Sequence, residues 1–305
     1  MRISCDRYVG FLAVAYDHAR QEEVTRMAGR YSPSARRRRL SALLRKMREE
    51  RGLTIDEVSR RLDWPSGKLS RMERNEWKRP SPRDMQDLAE VYELSPEMRE
   101  AVINLARESR VRGWWVEYRD VLRGGLADFE AGASMIRTYE ALLIPGLLQT
   151  PDYAAAVMRS GRVMDGDDIT RKVAGRMRRQ QVLEGDDPLY LWALIDEAAL
   201  RKQVGGREVM TAQIQRLIDM AARPNVDIQV VRDSFGAHAA IDGSFMILDF
   251  QDPADPPMVY LETATDDLYL EDPKVVQRYV GIFGHTCSAA ETPQRSVAYL
   301  KNLIA

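Results

Sequence analysis

Residues 54–75, TIDEVSRRLDWPSGKLSRMERN, predict two short helices joined by a tight turn. Thr54 is a good N-cap for the first helix, because a threonine hydroxyl can accept a hydrogen bond from a backbone N–H of the first turn. Pro65 suits the first turn of the second helix, since its φ is already helical and its missing N–H would have no partner there. We therefore expect the second helix over about residues 65–74, after a turn in which Asp63 tolerates a left-handed conformation.

The second helix has a small, polar and basic outer face if Leu69 and Met72, three residues apart, point inward. Such a face suits a helix that enters the major groove of DNA, because small residues allow close approach and arginine can bond to guanine. Arg71 is the predicted guanine contact, whereas Glu73 is expected to act as a cap or to pair with a neighbouring cation such as Arg74 or Lys78. The alternative interpretation is an ordinary helical hairpin with a solvated polar face.

The net charge of the 305-residue chain is close to zero, but the charge is unevenly distributed. Residues 35–112 contain 20 Lys and Arg against 14 Asp and Glu, a net charge of +6. Residues 113–305 contain 20 against 28, a net charge of −8. Because phosphate contacts dominate affinity for nucleic acid, the basic segment is the one expected to hold DNA, and an acidic module is attached to it.

A run of four arginines, residues 36–39, opens the helix that precedes the two-helix unit. Positive charge at a helix start opposes the helix dipole, so phosphate is the natural compensating anion, and a solvated basic run is the alternative. A proline-punctuated loop that contains Lys78 and Arg79 leads into two further amphipathic helices. The five predicted helices form an all-α domain over residues 35–112, at about residues 36–51, 54–62, 65–74, 82–92 and 95–110.

These residues resemble the helix–turn–helix of the phage-repressor-like (XRE/Cro-type) family of bacterial regulators, whose pattern is L-T-x-x-E-(V/L) followed by S-x-x-x-(L/I)-S-R-x-E. The matching residues are Leu53, Thr54, Glu57, Val58, Ser66, Leu69, Ser70, Arg71 and Glu73. Ser59 stands where the family usually has alanine, and Asp63 stands where it usually has glycine. The resemblance implies a transcriptional regulator that binds double-stranded DNA sequence-specifically.

Beyond residue 113 the pattern changes to that of an α+β domain, residues 113–305, with a mixed sheet of four or five strands. Aliphatic and β-branched residues predict strands at residues 189–195, 226–231, 244–250, 258–262 and 268–270. Helices are expected at residues 131–139, 147–158, 168–183, 207–221, 274–289 and 296–303. Residues 1–34 lack a sustained period and are interpreted as a loosely ordered extension, with translation starting at Met1 or Met27.

Three segments of the second domain resemble a domain of unknown function that is fused to helix–turn–helix modules in many actinobacterial regulators. They are RTYEALLIPGLLQTPDYAAAVMR, residues 137–159, GAHAAIDGSFMILDFQDPADPPMVYLE, residues 236–262, and LYLEDP, residues 268–273. Some of these regulators are called antitoxin-like, because a small partner protein is encoded beside them. The resemblance implies no particular activity for the second domain, and it leaves sensing, dimerisation and partner binding as alternatives.

The sequence predicts no catalytic centre, and we expect no enzymatic activity, metal or cofactor. It contains no G-x-S-x-G nucleophile elbow, no glycine-rich phosphate loop, no H-E-x-x-H and no C-x-x-C pair. His238 and Asp242 are interpreted either as a flexible connection or as polar contacts of a ligand pocket. Trp114 and Trp115 are interpreted as packing at the domain junction, one against each domain, or as ligand-stacking residues.

The residues predicted to contact DNA are Arg36, Arg37, Arg38, Arg39, Thr54, Ser66, Gly67, Lys68, Ser70, Arg71, Arg74, Lys78 and Arg79. A single helix–turn–helix reads half a site, so we expect a homodimer joined through the second domain. The other expected partner, in the antitoxin-like alternative, is a small protein encoded by an adjacent gene. Two cysteines, the lack of an export signal and the lack of a long apolar run predict a cytoplasmic protein, associated with the nucleoid when bound to DNA.

Overall fold

The computed structural model of the protein describes residues 32–77, 79–122, 125–160, 166–252, 255–263 and 266–305, without the side chains of residues 166–168. The extension expected over residues 1–34 lies outside the described residues as far as residue 31. The first described helix already begins at Pro33, because the Ser32 side chain accepts a hydrogen bond from the backbone N–H of Ala35.

The first five helices form a helical domain. They are α1 (Pro33–Glu50), α2 (Ile55–Arg61), α3 (Lys68–Glu73), α4 (Pro82–Val91) and α5 (Pro96–Glu108). All of them except α3 begin at a serine or threonine whose side chain accepts a backbone hydrogen bond from the first turn. Their apolar faces meet in a buried cluster that includes Leu44, Leu69, Met85 and Val102. The predicted all-α domain of five helices is confirmed.

The second domain follows a 3₁₀ turn at Trp114–Tyr118. Its helices are α6 (Leu126–Gly132), α7 (Pro151–Ser160), α8 (Gly166–Arg179), α9 (Glu197–Arg201), α10 (Arg207–Met220), α11 (Pro273–Ala289) and α12 (Pro293–Ile304). Its strands are β1 (Ala133–Glu140), β2 (Tyr190–Asp196), β3 (Val226–Val231), β4 (Phe245–Phe250), β5 (Met258–Glu262) and β6 (Asp267–Leu270). Further 3₁₀ turns lie at Gly146–Leu148, Gln180–Leu183 and Asp233–Phe235.

The six strands form a mixed sheet in the order β3-β2-β1-β4-β5-β6. β1, β2 and β3 are parallel, with Ile136 opposite Leu191 and Leu191 opposite Val226. β4 runs antiparallel to β1, and β5 and β6 continue the antiparallel half. The connection from β2 to β3 carries α10, since a parallel pair needs a long crossover. The α+β class expected from the sequence is therefore confirmed.

β1 lies in the interior of the sheet, and the prediction of a helix over residues 131–139 is wrong. Ile136 and Tyr139 are three residues apart, which is also the spacing of one helix face. On the strand they point to opposite faces, and each joins a different buried cluster. Burial on both faces removes the polar alternation that marks a half-exposed strand. The sheet consequently has six strands, one or two more than expected, whereas the other five lie within one residue of their predicted positions.

Helices cover both faces of the sheet. On one face, Met210, Ile214 and Leu217 of α10 pack with Leu300 of α12 against the strands. On the other face, α11 contributes Val276, Phe283 and Cys287. Exposed residues follow β1 and β3 and lie in the β5–β6 hairpin. α6 joins the sheet domain to the helical domain, because Asp128 accepts hydrogen bonds from Ser32 and Ser34.

Candidate nucleic-acid interface

A capping box fixes the start of α2. The Thr54 hydroxyl accepts a hydrogen bond from the backbone N–H of Glu57 at 3.2 Å, and the Thr54 N–H donates to the Glu57 carboxylate at 2.8 Å. The hydrogen bond from the Thr54 backbone is the largest cause that lowers the pKa of Glu57, so this carboxylate stays charged at the positive end of the helix. The Thr54 side chain is thus used to start the helix, as the sequence predicts.

The turn between α2 and α3 contains two left-handed residues, Asp63 with a φ of 52° and Gly67 with a φ of 79°. Gly67 adopts this conformation without strain, because it has no Cβ. The N–H of Lys68 donates to the carbonyl of Pro65 at 3.1 Å, so Pro65 belongs to the turn. The recognition helix expected over residues 65–74 is therefore shorter than predicted, and α3 begins at Lys68.

The outer side of α3 presents Arg71, and the preceding turn presents Ser66, both of them exposed. Leu69 and Met72 on the opposite side are buried, which confirms the predicted orientation of the helix. The Arg71 guanidinium folds back toward the helix start, so that a Cβ on Gly67 would lie 3.3 Å from Nη1. In the described part of the chain no ion pair holds Arg71, and its donors can serve an acceptor outside the protein.

Two of the predicted DNA contacts already have partners within the helical domain. The Lys68 ammonium lies 2.8 Å from the Asp84 carboxylate and 3.8 Å from the centre of the Trp64 ring. Arg74 donates two hydrogen bonds to the Glu76 carboxylate, each 2.8 Å long. Either cation would have to exchange a carboxylate for a phosphate in order to hold DNA, so their predicted contacts stay predictions.

The remaining predicted contacts of this region are Ser70, Arg79 and Lys78. Ser70 is half-buried, and its hydroxyl contacts the Arg74 guanidinium. Arg79 is exposed in the loop that precedes α4. Lys78 lies outside the described residues.

Three of the four arginines at the start of α1 face the second domain. Arg39 forms an ion pair with Asp252. Arg36 lies 3.7 Å from a carboxylate oxygen of Asp255. Burial is the largest cause that raises the pKa of Asp255, and the neighbouring arginines oppose this rise. These acidic residues belong to the loop after β4, so the basic start of α1 is compensated by the acidic domain.

Arg38 is the most deeply buried of the three. Its Nη1 lies 3.1 Å from the Met258 sulfur, and its Nη2 donates to the carbonyl of Pro256. Its guanidinium carbon lies 5.4 Å from the centre of the Phe250 ring, and its Nε lies 3.7 Å from the Glu271 carboxylate. Burial lowers the pKa of Arg38, against the effect of the nearby carboxylates. The side chain is a packing contact between the domains.

Arg37, the fourth member, donates from its Nε to the Asn75 side chain of the helical domain at 3.1 Å, and its charge also interacts with the Asp128 carboxylate of α6. The run of arginines is therefore not a solvated basic stretch. Its predicted contact with phosphates remains a prediction, and Arg36, Arg38 and Arg39 have carboxylates of the protein within 4 Å.

Asp128 of α6 completes this domain interface by capping α1. One of its carboxylate oxygens accepts from the Ser32 hydroxyl at 2.6 Å, and the other accepts from the Ser34 hydroxyl at 2.6 Å and the Ser34 N–H at 3.2 Å. Gly132 approaches the same segment so closely that an added Cβ would lie 2.4 Å from the Ser32 Cβ. α6 and α1 are thus packed directly against each other.

Trp114 and Trp115 lie in the connection between the domains, and both are half-buried. Their rings meet edge to face, with 6.0 Å between the centroids. The Trp115 ring covers Gly113, where any Cβ would collide with it. Arg178 of α8 lies 5.7 Å from the centre of the Trp114 ring. The pair therefore packs at the junction, and the predicted ligand contact stays a prediction.

His238 follows β3 and lies at the carboxyl ends of the parallel strands. Its Nε2 is 3.3 Å from the Tyr139 hydroxyl and 3.6 Å from the Asp196 carboxylate. Its Nδ1 accepts a hydrogen bond from the N–H of Ala240 at 3.3 Å, which places the proton of the neutral ring on Nε2. Asp242 is exposed. His238 thus contacts residues at the ends of β1 and β2, whereas Trp114 packs against Arg178 of α8.

A cavity of about 830 Å³ lies elsewhere in the second domain, and the sequence interpretation missed it. It is bounded by α8, the end of β1, the β5–β6 hairpin and the inner side of α6. Its charged lining comprises Glu140, Glu262, Asp266, Asp267, Lys172, Arg176 and Arg179. The signal in the sequence was the strongly basic α8, where the three cations recur at the spacing of one helix face. Their acidic counterparts come from distant segments.

Burial raises the pKa of Glu140 to about 7, with Glu262 contributing and the Ser244 hydroxyl and Arg176 opposing. Because the folded state keeps this proton up to about pH 7 and the unfolded chain loses it near its usual pKa of 4.5, stability falls as the pH rises through this window. In the Glu140→Gln variant, the decrease in the free energy of unfolding over this pH window should be smaller by about 1–2 kcal/mol. This is less than the value that corresponds to the full pKa shift, because water in the cavity screens the charge.

Urea denaturation of both proteins at about pH 5 and about pH 8 measures this difference. The same substitution at Glu208, which is exposed on α10, is the matched control. An equal pH dependence of the Glu140→Gln variant and the original protein would contradict the prediction.

Residues 124–302 match the family described as a domain of unknown function (DUF5753), and the match spans more than half of the 305 residues. The chain belongs to the DUF5753 family. Residues 39–102 match a helix–turn–helix domain, which includes α2, the turn and α3. Together with the DUF5753 domain this makes the chain a DNA-binding regulator with a second domain of unknown function. Neither a search of curated proteins nor a search of solved structures found a match.

Two further observations concern other kinds of site. Among the described residues, no group of three or more His, Cys, Asp or Glu side chains is arranged to hold a metal ion, in the DUF5753 domain or outside it. Within the same residues, no helix is both long enough and apolar enough to cross a membrane.

Proposed function

We propose that the protein is a sequence-specific transcriptional regulator of the phage-repressor type, whose helix α3 enters the major groove of DNA. The observation that carries the proposal is Arg71, which is exposed on α3 opposite the buried Leu69 and Met72. A capped α2 and a tight turn hold α3 from behind, so the recognition face is presented by a rigid unit. The DUF5753 domain then serves for sensing, dimerisation or partner binding.

Replacing Arg71 by alanine should relax sequence preference at one position of each half-site, because a bidentate arginine–guanine pair contributes about 1–3 kcal/mol of discrimination. Binding to non-specific DNA should change little. Selection of binding sites from a random pool, followed by titration of the selected and scrambled fragments, measures both effects.

The matched control is Arg79→Ala, which removes an exposed cation outside α3. If Arg79 holds a phosphate, this variant should weaken binding to all sequences alike and lower the slope of log affinity against log salt by about one. A complete consensus selected by the Arg71→Ala variant would show that the recognition face has been assigned wrongly.

The protein acts as a homodimer in this proposal, because two recognition helices are needed to read both halves of a near-palindromic site. The dimer contact is placed in the DUF5753 domain, since the positive charge of the helical domain opposes self-association. Sedimentation equilibrium of the full chain tests the proposal directly. A monomer at concentrations that saturate the operator would contradict it. The site of action is the cytoplasm, where the DNA of a bacterium lies.

The antitoxin-like alternative rests on three exposed apolar side chains in the loops that follow β1 and β3. Leu142, Phe235 and Ile241 are exposed there by 59%, 54% and 65%. Exposed large apolar side chains favour contact with another protein when they form a common patch. Co-expression with the product of an adjacent short reading frame, followed by light scattering, tests this function. A complex that persists in an Ile241→Glu variant would place the contact elsewhere.

A further inference from the structure

The cavity of about 830 Å³ falls within the range of about 300–1,000 Å³ that holds drug-sized ligands. Much of its lining is apolar and comes from Leu122, Ile144, Met158, Met246 and Tyr260. Charged side chains make up much of the remainder, with Lys172, Arg176 and Arg179 of α8 on one side and Glu140 and Glu262 at the ends of β1 and β5 on the other. A cavity that combines apolar surface with charges of both signs fits a molecule with apolar side chains and both a positive and a negative group.

Arg176 is the group on the α8 wall that lacks a full set of partners. Its Nη1 donates to the Gln149 side chain at 2.8 Å, whereas its Nε is buried and has no hydrogen-bond partner in the described part of the protein. Nε itself is out of reach of a ligand, but Nη2 has no hydrogen bond to a described residue and is not buried, so it can donate to an acceptor in the cavity. Arg179, one helical turn further, is already satisfied by Glu130 at 2.6 and 2.8 Å.

Glu140 and Glu262 form the opposite wall. Neither lies within ion-pair distance of Arg176 in the described structure, although the charges of both act against the lowering of the Arg176 pKa by burial. Burial raises the pKa of Glu140, and the charge of Glu262 raises it further. A cation placed between the two carboxylates would relieve this repulsion.

We propose that this cavity binds a small apolar zwitterion of about dipeptide size, with its ammonium group at Glu140 and Glu262 and its carboxylate at Arg176. A molecule with only one of the two charges leaves the other wall without a partner. The assignment concerns a site within the DUF5753 domain and does not depend on how the protein contacts DNA.

Occupancy of the cavity has a consequence for DNA binding that does rest on the proposed function. Leu126 and Ala127 of α6 line the cavity, and Asp128, the next residue, caps α1 through Ser32 and Ser34. A ligand therefore contacts the helix that holds the helical domain in place. If the ligand binds one arrangement of the two domains more tightly than another, it increases the population of that arrangement. The affinity of the protein for DNA then changes when the two arrangements bind DNA differently.

The probe for the site is the dipeptide phenylalanylphenylalanine, compared with its N-acetyl derivative, which lacks the ammonium group, and its C-terminal amide, which lacks the carboxylate. Titration calorimetry with the full chain should show binding of the dipeptide with a Kd of about 1 mM or tighter. Each derivative should bind at least about tenfold more weakly. No binding of the dipeptide in this range, or equal binding of all three, would overturn the proposal.

Two substitutions test the assignment of the walls. Arg176→Met should abolish the preference for the dipeptide over its amide, and Glu140→Gln should reduce the preference over the N-acetyl form. The matched control is Arg178→Met, which removes an exposed cation of the same helix that faces Trp114 and should leave both preferences unchanged. The comparison of the three probes is also made with the unsubstituted protein. It therefore still tests the proposed site if a variant fails to fold.

Titration of a selected operator fragment with and without the dipeptide distinguishes ligand binding in the cavity from its coupling to DNA binding. Charge-selective binding with a shift in operator affinity supports both the site and its coupling to DNA. Charge-selective binding without such a shift keeps the site and overturns the coupling. Failure to bind any operator overturns the proposed function, while the calorimetric result still decides on the cavity.

Discussion

Replacing Glu73 by alanine is expected to lower the free energy of unfolding of the helical domain by about 3 kcal/mol. Nε and Nη2 of Arg48 lie 2.7 and 2.9 Å from the two carboxylate oxygens of Glu73, whose side chain is only 4% exposed. Without the carboxylate, the largely buried guanidinium keeps the carbonyl of Leu53 and a longer contact to Glu49. Glu73 therefore acts through stability, although its partner is on α1 and not among its neighbours in sequence.

Urea denaturation of the full chain measures this effect, and Glu76→Ala is the matched control. That substitution also removes a glutamate with two hydrogen bonds to an arginine, but the pair with Arg74 is exposed and should contribute far less. Equal changes in the two variants would contradict the prediction. The double substitution of Arg48 by methionine and Glu73 by leucine should recover much of the loss, because an apolar pair leaves no charge unpaired.

Replacing Glu130 by alanine should destabilise the DUF5753 domain by about 3–5 kcal/mol. The Glu130 side chain is fully buried, and its carboxylate accepts two hydrogen bonds from Arg179, whose side chain is 12% exposed. Burial lowers the pKa of Arg179, but the charge and the hydrogen bonds of Glu130 reverse this and raise it. Removal of Glu130 would leave a buried guanidinium without its anion, between α6 and α8.

Thermal unfolding of the full chain provides the measurement. Asp120→Ala is the matched control, because it breaks another bidentate pair to α8, between Asp120 and Arg171, in which both side chains are about half exposed. A midpoint shift of similar size in both variants would mean that the buried pair is not the element that holds α6 to α8.

The domain interface explains the run of four arginines at the start of α1 differently from the sequence. A helix start with four arginines requires negative charge nearby, and the sequence offered phosphate as the compensating group. In the structure, carboxylates of the DUF5753 domain provide that charge at Arg36, Arg38 and Arg39. The acidic excess of the second domain is thus used in part to dock the basic one. The predicted contact of these arginines with DNA phosphates would therefore have to compete with carboxylates of the second domain.

Features set by neighbours in sequence could be predicted from the sequence alone. Thr54 with Glu57 specifies the start of α2, and the spacing of Leu69 and Met72 specifies the inner side of α3. Strands such as Val226–Val231 were predictable because a run of β-branched residues bounded by loops has few other stable arrangements. These signals depend on caps and periodicity within a few residues, and they also gave the order of the two domains.

Only the tertiary structure decided the features that join distant segments. Ile136 and Tyr139 of β1 have the spacing of a helix face, and the strand forms because it is buried between neighbours on both sides. The charge of Arg39 is evident in the sequence, but its partner Asp252 lies 213 residues away. The cavity could not be predicted for the same reason. Arg176 and Glu140 belong to different elements, which meet only when the sheet and α8 pack together. Charge and periodicity are properties of single residues and short segments, whereas a partner exists only after folding has placed another segment beside them.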